Sequence, residues 1–216
     1  MPLILVTNDD GVFSPGVAAL HEAMKNIADT VTVAPDREMS ATSHSLTMHR
    51  PLFVNKIQKD VYSVNGTPTD CVTLGVSKVL ERRPDLVVSG INKGGNLGDD
   101  ITYSGTVSAA IEGTIIGIPS IAFSLASHEE FYFAEAAVFA LKLAAIVIEK
   151  GLPRDTLLNV NIPGGKDIKG VKFTGQGRRV YLDSIHEYYD PMGKKHYWIG
   201  GGKSSWQEGD DTDFFA

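Results

Sequence analysis

Two aspartates, Asp9 and Asp10, stand side by side in the string LILVTNDDG, directly after a short apolar run at residues 3–6. Adjacent carboxylates repel each other. A hard divalent cation bound by oxygen ligands relieves that repulsion and leaves coordination positions for phosphate oxygens. The pair is therefore a candidate cation site. It reads equally well as a cap of the following turn or helix, because Asp before Gly is a common turn former and Gly11 comes next.

Other residues could complete such a site. Residues 37–50 (REMSATSHSLTMHR) are hydroxyl-rich, and Ser40 offers a hydroxyl oxygen there. Asn92, in the glycine-rich stretch 89–104, offers a neutral amide oxygen. Few carboxylates, neutral oxygens and several waters make a shell that Mg²⁺ or Mn²⁺ accepts. A lone Ser or Asn in a loop is also an ordinary turn residue. Tyr103-Ser104-Gly105-Thr106 precedes a small-residue helical pattern. Free amides and the positive end of a helix dipole bind phosphate at such a start, and glycine permits close approach. An N-cap by Ser104 or Thr106 is the plainer reading and is compatible with that role. The loop matches neither GxxxxGK[ST] nor GxGxxG after a strand, which disfavours a P-loop or dinucleotide site. His44, His49, His128, His186 and His196 are scattered without HxxxH or HExxH spacing, so a zinc protease is unsupported. Of these His44 alone falls near the hydroxyl-rich loop, where it reads as a site candidate or a solvated loop residue.

Periodicity supplies the elements that must position these groups. The run 3–6 reads as a strand buried on both faces. Ser14-Pro15 opens a helix with Val17, Leu20, Met24 and Ile27 at helical spacing, and residues 30–34 form a second strand. Two short strands at 52–57 and 61–64 follow, then a helix from Thr67 to about Leu80 and a strand at 86–89. After the 105–113 helix come a strand at 120–124, a helix at 129–150 with first-turn acids at 129–130, and a strand at 157–162. This alternation predicts a doubly wound, Rossmann-like, mostly parallel α/β sheet. Ligands of such sheets sit outside the carboxyl ends of the strands, where residues 8–10, 36–47 and 89–100 converge.

Past residue 163 the helical pattern disappears, and aromatic segments flanking Pro191-Met192-Gly193 predict a long β-hairpin. That hairpin serves as an oligomer arm or folds over its own core. The division expected is a core at 1–163 and an extension at 164–216, and the ending GDDTDFFA suggests a chain stopping short of its natural terminus. The 216 residues, 43% hydrophobic, carry a net charge of −6. A nucleic-acid polymer as partner is therefore not expected. Cys71 is the only cysteine, which excludes an intramolecular disulfide and a thiolate zinc cluster, fits a reducing compartment, and leaves a small buried residue of a helix. The apolar stretch 131–148 is broken by Glu135 and Lys142, and the N-terminus lacks a basic export region. The expectation is a cytoplasmic chain with no membrane association.

The blocks ILVTNDDG, APDREMSATSHSLT, VNGTPTDCV, PDLVVSGINKGGNLGDDITYSGTVSAAIEG and LLNVNIP together resemble the survival protein E (SurE) family of acid phosphatases and nucleotidases, in the family's order across nearly the whole chain. The resemblance implies a Rossmann-like domain with an exchanged C-terminal region and hairpin arm, assembling as a homodimer or homotetramer. It implies hydrolysis of nucleoside 5′- and 3′-monophosphates, with some action on short polyphosphate, and one Mg²⁺ or Mn²⁺ per subunit. The family's metal ligands fall on Asp9, Asp10, Ser40 and Asn92, of which Asp9, Asp10 and Asn92 are the catalytic candidates. Its phosphate-binding loop falls on Ser104, Gly105 and Thr106, with Asn96 in the adjoining turn. Two departures stand out: Ala41 follows the ligand serine where glycine is common, and the chain ends at Ala216, before the family's closing strands. Two rivals remain. A nucleotide sensor without turnover is compatible with the same residues. A signalling receiver domain needs a phosphoacceptor Asp after the 61–64 strand, where Asn65-Gly66 stands, and a Lys after SIAFS, where none is near.

Overall fold

The computed structural model of the chain describes residues 1–127, 131–164, 168–182, 185–200, 203–207, 209 and 211–216. It divides into two compact units, Met1–Asn96 with Ile101–Lys169, and Leu97–Asp100 with Gly170–Ala216.

The first unit is a seven-stranded sheet in the order β3-β4-β2-β1-β5-β6-β7. Its strands are β1 (Leu3–Thr7), β2 (Asp29–Pro35), β3 (Val54–Gln58), β4 (Val61–Val64), β5 (Leu86–Lys93), β6 (Ser120–Ala126) and β7 (Leu157–Pro163). Only the β3–β4 pair is antiparallel. Side chains alternate across the sheet with a period of two. Ile4, Val6, Val88 and Phe123 thus join the cluster packed with α1 (Pro15–Met24) and α4 (Phe133–Lys150), while Leu5, Val33 and Val87 pack on the other side with α2 (Pro68–Leu74) and α3 (Gly105–Ile115). Every residue of β1 is buried, as a strand covered on both faces requires. Cys71 is fully buried in the second cluster, the structural role expected for it. His21 of α1, absent from the candidates weighed above, is also buried, with Nδ1 2.9 Å from Thr32 Oγ1 of β2.

Three elements differ from the periodicity reading. The helix expected to run to about Leu80 has two parts, because α2 passes at Gly75 into a π-helical turn, Gly75–Val79. A Cβ at Gly75 would lie 3.0 Å from Leu5 Cδ2, so this part of the helix passes close over β1. Strand β5 runs four residues past Ser89, with a register shift against β6 between Ser89 and Asn92. Gly90 makes the shift possible: its φ is +129°, and a Cβ there would lie 2.3 Å from the Phe123 carbonyl oxygen. Helix α4 begins at Phe133; the expected first-turn acids at 129–130, and His128, lie outside the described residues.

In the second unit the predicted hairpin forms from β9 (Ile185–Tyr189) and β10 (Lys195–Ile199), with Tyr189 paired to Lys195. Asp190 closes its turn, accepting from the amides of Met192 at 2.9 Å and Lys194 at 2.8 Å. Two further strands that periodicity did not single out, β8 (Arg179–Leu182) and β11 (Lys203–Trp206), pair antiparallel. Trp206 stacks on Phe214 with ring centroids 4.2 Å apart. The tail is tied down by Asp213, whose carboxylate accepts from the amides of Gly98 at 2.7 Å and Gly177 at 2.9 Å. Among the described residues, no helix is long and apolar enough to cross a membrane.

Candidate active site

The turn after β1 is shaped by Asn8, which is fully buried and donates through Nδ2 to the Gly11 carbonyl at 3.0 Å and the Ser14 hydroxyl at 2.8 Å. Ser14 in turn caps α1 by accepting from the Val17 amide. The capping work at this helix start thus falls to Ser14. The two aspartates are left for other partners.

Asp9 is buried against the start of α3. Thr106 donates its hydroxyl to Asp9 Oδ1, and its amide also bonds the carboxyl. Gly105 allows this approach, since a Cβ on it would sit 2.7 Å from Asp9 Cβ and 3.1 Å from Pro68 Cγ. Burial raises the Asp9 carboxyl from 3.8 to about 6; the Thr106 hydroxyl opposes the rise and the Asp10 charge adds to it. Asp10 accepts from the Lys93 amide at 3.3 Å, next to Asn92 at the end of β5. It too is raised, first by burial and further by Glu38, with the Lys93 amide and charge opposing.

The loop after β2 reaches the same corner. The Met39 amide donates to the Asp9 carbonyl at 2.8 Å, and Ser40 follows, its hydroxyl donating to Glu38 Oε1 at 2.7 Å. Ala41 has φ +55° and Ser43 φ +53°, left-handed conformations that cost a non-glycine residue roughly 1–2 kcal/mol each. A glycine at 41 would carry no such cost. Asn92 donates Nδ2 to the Gly94 carbonyl at 2.9 Å, so the end of the amide not used in this bond is its oxygen.

Asp9, Asp10, Gly105 and Thr106 are thus in direct or adjoining contact, with Ser40 and Asn92 carried by segments bonded to the aspartates. Ser104 is engaged as the N-cap of α3, accepting from the Val107 amide at 3.1 Å. Asn96 is held at the ends of β6 and β7: Nδ2 donates to Ser124 Oγ at 2.7 Å, and its carbonyl accepts from Asn159 and Asn161, each at 2.9 Å. His44, the histidine singled out from sequence, bonds Glu112 of α3 at 2.8 Å. No three His, Cys, Asp or Glu side chains gather as a metal cluster among the described residues.

Two buried acids that organise this region were not read from sequence. One is Asp70, which accepts from the Thr47 amide at 2.9 Å, the Thr47 hydroxyl at 2.6 Å and the Thr67 amide at 2.8 Å. The spacing Thr67-x-x-Asp70 is a capping-box signature, and the helix starts at Thr67 as expected; the bond of Asp70 to Thr47, 23 positions away, has no local signal. Asp70→Ala is expected to cost about 3 kcal/mol, from a lost cap and two charge-assisted hydrogen bonds in a buried place. Urea melts would record this as a lower midpoint at unchanged slope. The other acid is Glu112.

Fold and site together define a Rossmann-like α/β protein whose polar centre lies at the carboxyl ends of β1 and β5, against the N-terminus of α3. Residues 4–183 match the family model described as survival protein SurE. The chain is 54% identical over 217 residues to the 5′-nucleotidase SurE of Geobacter sulfurreducens, covering 99% of this chain and 82% of that one. It is 51% identical over 220 residues to the 5′-nucleotidase SurE of Aquifex aeolicus, covering 100% and 88%. The crystal structure of the Sure protein from Aquifex aeolicus superposes with a TM-score of 0.88, again over 100% of this chain and 88% of that one. The chain belongs to the survival protein SurE family.

Proposed function

We propose that the chain is a divalent-metal-dependent phosphomonoesterase hydrolysing nucleoside 5′- and 3′-monophosphates, with action on short polyphosphate. The observation that carries this reading is the helix start Gly105-Thr106 seated directly on the buried Asp9 carboxyl, whose pKa is raised to about 6. A carboxylate left in such a place invites a cation, and a helix N-terminus beside it invites an anion. Relatives bearing the name 5′-nucleotidase support nucleotides as the phosphate carriers.

The donor set fits Mg²⁺ or Mn²⁺: two carboxylates, an amide oxygen and a hydroxyl are all hard oxygens, with no thiolate or imidazole among them. When bound by Asp9, Asp10, Ser40 and Asn92, one ion per subunit, the metal supplies Lewis acidity toward phosphoryl oxygens and a more acidic water as nucleophile. The chain's own residues supply the rest. The N-terminus of α3 contributes amide donors and the positive end of its dipole to the charge spread over the equatorial oxygens. Thr106 orients Asp9, and the Lys93 amide orients Asp10. Asn96 secures the turn after β5 that adjoins the phosphate seat formed by Ser104, Gly105 and Thr106. Residues 1–163 hold this whole machinery, while residues 164–216 serve assembly: the exposed Tyr197, Trp198 and Ile199 of β10 suit a homodimer or homotetramer arm. A cytoplasmic setting fits the lone buried Cys71.

The test is inorganic phosphate release from 5′-AMP, 3′-AMP and tripolyphosphate with Mn²⁺, with Mg²⁺ and with EDTA. Release that EDTA abolishes and added metal restores is expected. Binding of 5′-AMP without release under either metal overturns the enzyme in favour of a nucleotide sensor.

A further inference from the structure

The span from Met39 to His44 carries Ser40 and is held at three points. The Met39 amide bonds the Asp9 carbonyl at 2.8 Å, the Ser43 amide bonds the Tyr103 carbonyl at 3.1 Å, and His44 Nε2 meets Glu112 Oε2 at 2.8 Å. Between these anchors Ala41 and Ser43 occupy the left-handed region, which such residues adopt only when their surroundings impose it. The backbone shape around Ser40 is therefore dictated by the anchors.

Glu112 is the anchor that reaches furthest. It is 8% exposed, and its other oxygen accepts from the Thr73 hydroxyl of α2 at 3.0 Å. It lies seven positions after Gly105, about two helical turns, so both lie on one face of α3. One rigid helix thus touches Asp9 at its first turn and grips the Ser40 loop further along. A buried carboxylate is a poor device for stability alone, since its desolvation offsets much of what its partners contribute.

We propose that Glu112 is a positioning residue of the reaction: acting through His44, it holds the 39–44 span, tied to Asp9 through the Met39 amide, so that the Ser40 hydroxyl is presented to the acid pair when the ion binds. This rests on the function proposed above. It extends that function to a residue that touches neither substrate nor ion.

Three full-length variants test it, Glu112→Ala, Glu112→Gln and His44→Ala. The last breaks the clamp from its more exposed side and leaves the core intact. Amide hydrogen exchange of residues 39–45 is followed in EDTA, Mn²⁺ binding is measured without substrate, and kcat and KM are measured on 5′-AMP. Both alanine variants should exchange the Ser43 amide at least about tenfold faster and bind Mn²⁺ about tenfold more weakly. They should also lose about 10–100-fold in kcat with KM changed much less, the range typical of residues that orient metal ligands. Glu112→Gln keeps the acceptor oxygen for His44 and turns its NH2 toward the Thr73 hydroxyl, which can accept from it while donating to the Thr69 carbonyl, and should restore most of each loss. Unchanged Ser43 exchange and Mn²⁺ affinity in His44→Ala overturns the proposal, including when Glu112→Ala unfolds. Should the wild-type chain release no phosphate at all, the proposed function falls, while exchange and Mn²⁺ binding still decide the clamp.

Discussion

Asp9→Asn is expected to lower turnover by a factor on the order of 10³ and, in the chelated protein, to raise the melting temperature. Both effects come from one cause. Asp9 is nearly enclosed, and burial lifts its carboxyl from 3.8 to about 6. The folded chain therefore holds this proton more tightly than the unfolded chain does. That difference destabilises the metal-free fold by about 3 kcal/mol at pH 7, as an order of magnitude. The penalty is complete above the folded value, shrinks as pH falls from about 6 to 3.8, and is absent below. Asparagine keeps an acceptor for the Thr106 hydroxyl and has no charge to desolvate. Thermal melts in EDTA should then show the variant more stable at pH 7–8, with the gap closing toward pH 4. An unchanged melting temperature at pH 7, or near-wild-type turnover in a metal-replete assay, refutes this account of the site.

The second large effect is expected at Gly105. Alanine normally improves a helix relative to glycine by up to about 1 kcal/mol, so propensity alone predicts a more stable protein. Contact geometry predicts the reverse. The new Cβ would lie 2.7 Å from Asp9 Cβ and 3.1 Å from both Asp9 Oδ2 and Pro68 Cγ; the nearest of these is the base of a buried side chain, and Pro68 Cγ is fixed in its ring. Overpacking of this kind costs about 1–3 kcal/mol. The relief available is to push α3 away from β1, which separates the phosphate seat from the acid pair, and a displacement approaching 1 Å there is worth about 10²-fold in rate. Gly105→Ala should therefore melt lower and lose about 10²-fold in kcat/KM on 5′-AMP. A higher melting temperature with activity within twofold would show that the helix does not need to sit so close.

These expectations trace back to features of different legibility. The acid pair, the helix starts at Ser14, Thr67 and Ser104, and the β9–β10 hairpin are local patterns, and each lies where its residues indicate. The extension of β5 to Lys93 was not legible, because it depends on Gly90 packing under the Phe123 carbonyl of a neighbouring strand. The π-helical turn at Gly75–Val79 likewise reflects close passage over β1, a contact that helical periodicity does not encode. Ala41 drew notice only as a departure from a family pattern. Its φ of +55° shows that the loop keeps its left-handed bend without the glycine.

By itself the sequence determined the alternation of strands and helices and the adjacency of Asp9 and Asp10. It also determined the capping residues, because each of these depends on side chains within a few positions of one another. Tertiary structure alone decided which helix start meets which acid. Asp9 touches Thr106, 97 positions away, and Asp70 and Glu112 hold the Ser40 loop over 23 and 68 positions. Such pairings follow from the order in which parallel strands assemble, and no local pattern along the chain records that order.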